Sequence, residues 1–107
     1  MILRIWHGYT TKSKADQYEK LLKTEIFPEI ERKKISGHRR THLLRRELED
    51  EIEFTVMMWF EKLESIIAFA GEDYEKAYVP EKARKVLSRF DQKCVHTELI
   101  ETIDYKH

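Results

Sequence analysis

One cysteine, three glycines and two prolines in 107 residues leave several classes of protein out of reach. A single thiol, Cys94, makes no internal disulfide, and no charged-then-apolar leader opens the chain, so the expected compartment is the cytoplasm. Three glycines cannot supply the phosphate-cradling loops of nucleotide-binding proteins. No apolar run approaches the roughly 20 residues that cross a bilayer; the longest nearly apolar stretches are residues 54–60 and 63–70. Neither sign of charge dominates. Twenty basic and twenty acidic residues cancel, so no overall field draws the chain to nucleic acid or to an anionic membrane. The one basic excess, Arg32, Lys33, Lys34, His38, Arg39, Arg40, Arg45 and Arg46, is flanked by Glu29, Glu31, Glu47, Glu49, Asp50 and Glu51 and reads as solvated surface.

What is present is one domain, residues 1–107, with a regular order of elements. Residues 2–9 alternate as a strand with bulk on both faces, Leu3, Ile5 and His7 on one and Ile2, Arg4 and Trp6 on the other. Ala15, Tyr18, Leu22, Ile26 and Ile30 form the buried stripe of a long helix. Pro28 predicts a kink or restart near Phe27, because its ring would clash with the carbonyl of Thr24. Residues 38–48 and 52–60 predict an antiparallel hairpin joined by Glu49, Asp50 and Glu51. A second helix over 63–70 ends at Gly71, Pro80 opens a short one over 81–89, and 94–103 predicts a last strand. This order is the split βαβ pattern of an α+β, ferredoxin-like fold: a four-stranded antiparallel sheet with its helices on one face.

Phe54, Val56, Met58 and Phe60, with Ile2 and Trp6, would then load the face opposite the helices with apolar side chains. A second copy of the sheet is the expected cover, giving a homodimer through the open sheet face.

Three stretches resemble a known family: Arg4-Ile5-Trp6-His7-Gly8; Met58-Trp59-Phe60-Glu61 running into Leu63–Ala70 and Gly71; and Tyr78-Val79-Pro80-Glu81. Together they are similar to the antibiotic biosynthesis monooxygenase domain of the dimeric α+β barrel superfamily. The resemblance covers nearly the whole chain and implies the fold and the dimer. The superfamily hosts cofactor-free oxygenases of aromatic polyketides, haem-degrading enzymes, isomerases and many members of unknown role. Laid on the haem-degrading branch, His7 stands at that branch's asparagine, Trp59 at its tryptophan and Tyr78 at its iron-ligating histidine; Trp59 alone matches.

The resemblance implies a pocket between sheet and helices, lined by Leu3, Ile5, Met57, Trp59 and Phe69, for a small aromatic or quinol-type molecule oxidised without metal or flavin. In that pocket His7 is the expected base, since imidazole titrates near neutral pH, and Tyr78 the expected hydrogen-bond donor to a substrate oxygen. The alternative is a non-catalytic small-molecule-binding or stress-related barrel. His38 and His42 share a strand face four residues apart, roughly 13 Å in an extended chain and too far for one metal ion.

Overall fold

In the computed structural model, which describes residues 1–107, β1 (Ile2–Thr10) runs antiparallel to β3 (Ile52–Phe60) over its full length. β2 (His38–Glu47) takes the other edge of β3, and the Leu48 amide donates to the Glu51 carbonyl at 2.8 Å to close the expected hairpin. On the far side of β1, two short strands share one position. β4 (Arg89–Phe90) pairs with Tyr9 and Gly8, and β5 (Val95–Glu98) pairs with Ile5 through Ile2. The last strand predicted over 94–103 is therefore cut to four residues, and the last helix to α4 (Glu81–Arg84). With β2, β3, β1 and the β4/β5 edge in that order, the α+β, ferredoxin-like antiparallel sheet stands as expected.

The long helix is three segments in line: α1 (Ala15–Leu21), a π-helical turn (Leu22–Ile26) and α2 (Phe27–Arg32). Its buried residues Tyr18, Leu22, Ile26 and Ile30 recur every four positions. In an α-helix a step of four overshoots one turn by about 40°, so the stripe would drift off the sheet. The wider π turn takes up the excess, with the Phe27 amide donating to the Leu22 carbonyl. It also settles Pro28, which has no amide to give and sits at the start of α2.

The helices pack on the face opposite to the one expected. Tyr18, Leu22, Ile26, Ile30 and Ile66, the last from α3 (Leu63–Ala70), share one buried cluster with Ile52, Phe54, Val56, Met58 and Phe60. The register puts Ile2, Arg4, Trp6, Gly8 and Thr10 on that same side. Leu3, Ile5, His7, Met57 and Trp59 therefore face away from the helices. The physical reason is load: the even positions of β3 carry Phe54 and Phe60, both 0% exposed, and the helices cover the larger apolar face. A slip of one residue moves a whole strand's side chains between faces, which is why the reading inverted all five together.

Candidate functional site

A cavity of about 60 Å³ lies between the sheet and the helices. Trp6, Val56 and Met58 form its sheet wall, while Tyr18, Leu22, Ile26, Phe27 and Ile30 form the helix wall through the π turn. Phe69 of α3, Tyr78, Val79, Pro80 and Ala83 close the remaining side, with Cys94 and Arg4 completing the lining. No Asp, Glu or His side chain lines it.

Trp6 reaches this wall because Gly8 has no side chain. A Cβ on Gly8 would stand 2.9 Å from Trp6 Cζ3 and 3.1 Å from Leu87 Cδ2, so the indole lies across the glycine backbone. Trp6 Nε1 donates to the Asp91 carbonyl at 3.0 Å and fixes the ring's tilt.

Arg4 is 3% exposed, between Ile2 and Trp6 on the strand face that meets the helices. Nη1 donates to the Tyr74 carbonyl at 2.5 Å and to His96 Nε2 at 2.9 Å; Nη2 donates to the Lys76 carbonyl at 3.2 Å. Its guanidinium lies 5.6 Å from the centroid of the Phe69 ring. Burial pulls its pKa down from the usual arginine value. A guanidinium only donates, so the His96 nitrogen it meets is unprotonated. Burial first, and the Arg4 charge second, hold the His96 pKa below its ordinary value. Burial pushes the Cys94 thiol up, with Arg4 pulling the other way, so the sulfur stays protonated and unreactive at neutral pH.

The residues gathered by the sequence into one pocket separate. Phe69 and Tyr78 line the cavity. Tyr78 is 49% exposed, its ring 4.7 Å from the Lys33 ammonium, which also stands 5.2 Å from the Phe69 ring. Leu3, Ile5, His7, Met57 and Trp59 are on the open face, so the expectation that they line the sheet–helix pocket is corrected. His7 Nδ1 donates to Asp91 Oδ2 at 2.8 Å, and the same oxygen accepts the His7 amide at 3.0 Å. Trp59 lines a separate groove of about 340 Å³ on the open face with Met1, Arg39, Arg40, His42, Leu99 and Thr102.

His38 and His42 do not share a face. A bulge between His38 and Arg40 turns His38 to the helix side, where it stacks on Phe60 at 4.8 Å and its Nε2 lies 2.9 Å from Thr41 Oγ1. Burial lowers its pKa, so the ring is neutral at pH 7. The basic excess is partly paired: Arg45 with Asp16 and Glu19, Arg46 with Glu53, and Arg39 with Glu61.

Sequence reasoning missed Arg4 and Trp6 as cavity residues. Their signal was available: Arg4 sits between Ile2 and Trp6 on one strand face, an arginine where a core residue is called for.

No helix is long and apolar enough to cross a membrane. No family model matches the chain, and no curated protein does. Among solved structures the chain is similar to a protein from Bacillus cereus provisionally assigned as an antibiotic biosynthesis monooxygenase, with TM-score 0.62, 98% of each chain covered and 9% identity. At that identity the likeness shows the ferredoxin-like fold of such monooxygenases and nothing finer.

Proposed function

We propose that the protein is a cofactor-independent monooxygenase for a small aromatic or quinol-type molecule held in the sheet–helix cavity. The observation that carries the reading is an almost wholly apolar cavity, open on one side, with Trp6, Phe69 and Tyr78 as aromatic walls, on a fold shared with a provisionally assigned monooxygenase. In such a reaction the substrate supplies every electron. Hydroquinone and O₂ give hydroxybenzoquinone and water: one oxygen atom enters a ring C–H bond, and the second leaves as water with the two hydrogens lost as the ring is oxidised. A dry apolar wall excludes competing proton sources. Tyr78, whose hydroxyl makes no hydrogen bond within the chain, is the donor proposed for a substrate oxygen and the group that swings to admit a ring. Movement is required, since a cavity of about 150 Å³ is what holds a benzene. His7 is replaced in this reading, because it faces away.

The test is O₂ uptake with hydroquinone, corrected for autoxidation. Ala83→Leu, which fills the cavity from a position 1% exposed, is expected to lower uptake at least tenfold, while His7→Ala leaves it unchanged. Undiminished uptake in Ala83→Leu overturns the reading. Binding without uptake identifies the non-catalytic barrel instead.

The working unit in this reading is a homodimer through the open sheet face. That face presents Ile5, Met57 and Trp59 with the exposed Leu44 and Val95, an apolar surface of the kind that marks an interface. Sedimentation at micromolar concentration should give twice the 13.0 kDa chain mass, and Met57→Glu should shift it to the monomer. A monomer for the unaltered chain would overturn the dimer.

A further inference from the structure

We propose that the molecule taken into the cavity is a small aromatic anion, a phenolate, enolate or carboxylate, whose charged oxygen docks on the Arg4 guanidinium. The inference rests on the cavity reading above and names the chemistry of its ligand.

Arginine is almost never fully buried unless a counter-ion accompanies it. Arg4 is 3% exposed and lines the cavity, yet no carboxylate reaches it. The Tyr74 carbonyl, the Lys76 carbonyl and the neutral His96 ring are its hydrogen-bond partners. Three neutral acceptors orient the cation and leave its charge whole. They also leave donors over. A guanidinium has five N–H bonds, and three go to these acceptors.

The surroundings favour one sign and one shape. With no acid in the lining, nothing in the cavity repels an anion. Lys33, at the surface beside Tyr78 and Phe69, adds a second positive charge where a ligand would enter. Trp6, Phe69 and Met58 form the apolar part, so charge and ring are recognised by different walls. A guanidinium beside a phenol stabilises the phenolate, the electron-rich form that reacts with O₂. The phenol's proton passes to solvent water as the ligand binds, and Arg4 holds the anion that remains without a base in the cavity.

The experiment compares benzoate with benzamide, its uncharged isostere, by quenching of Trp6 fluorescence in a Trp59→Phe background. Benzoate is expected to bind at least tenfold more tightly to this background protein, and Arg4→Met to remove that preference with benzamide affinity unchanged. Equal affinities in the background protein, or a preference that survives Arg4→Met, overturn the proposal. The isostere pair in the background protein decides the matter even where Arg4→Met fails to fold. Ala83→Leu separates the two levels. If both molecules bind and it abolishes both, the cavity stands whatever the preference; if it abolishes neither, or neither molecule binds, the cavity reading falls and the anion with it.

Discussion

Phe54→Ala is expected to lower stability to urea by about 3–5 kcal/mol, the range for truncating a fully buried phenylalanine. Phe54, the third residue of β3, is 0% exposed and stands opposite Gly8. Its ring meets Tyr18 edge-on at 5.0 Å and 74°, and the Arg45 guanidinium lies 5.6 Å from its centroid. Neither neighbour collapses easily into the space left behind. Tyr18 is held in the helix stripe beside the π turn, and burial already drives its hydroxyl pKa upward. Opposite stands a glycine with no side chain to move in. For a domain with about 5–15 kcal/mol in hand, this is a large share, visible as a lower denaturation midpoint. Met57→Ala, on the open face of the same strand, should fall well below it when both are compared at equal concentration. Comparable losses at 54 and 57 would contradict the face assignment.

Gly8→Ala is the second large effect, and it reaches function as well as stability. The added methyl would occupy the space of the Trp6 indole, with Leu87 Cδ2 close behind. Overpacking of this kind costs about 1–3 kcal/mol. If the ring tilts away, the Trp6 Nε1 bond to the Asp91 carbonyl is lost too, adding about 1–3 kcal/mol for a part-buried donor left unpaired. The expected total is about 2–6 kcal/mol by urea denaturation, with a large loss of cavity binding because Trp6 is a wall. Double-variant analysis checks the cause. In a Trp6→Leu background the methyl should cost less than about 1 kcal/mol; an undiminished cost would place the clash elsewhere.

Most of the fold was legible because its signals were local. The two-period hairpin around residues 49–51, the four-step stripe from Tyr18 to Ile30 and the Pro28 restart each predict an element that forms. The faces of the sheet were not legible in the same way. In β1, Leu3 and Ile5 compete with Ile2 and Trp6, and in β3 residues 56–60 are apolar without interruption. Alternation then gives no preferred parity, and the choice is made by the volume the helices must cover. The pocket expected from the sequence inherited that ambiguity: of the residues assigned to it, Phe69 and Tyr78 line the cavity, while Trp59 and His7 lie on the other face. Arg4 escaped notice because a strand arginine ordinarily points to solvent, and its acceptors at Tyr74 and Lys76 lie about seventy residues away in the chain, |i−j| = 70 and 72.

The break between β4 and β5 has a use beyond ending one strand and starting another. Over residues 92–94 the chain leaves β1, and its backbone groups become free to hold a different segment: the Ala77 amide donates to the Gln92 carbonyl, the Cys94 amide to the Glu75 carbonyl, and Lys76 bridges Lys93. That segment carries the Tyr74 and Lys76 carbonyls that orient Arg4. One interrupted edge therefore works as a clasp, with the sheet on one side and the arginine's seat on the other. An unbroken strand would have paired those groups with β1 and left the guanidinium nothing to sit in.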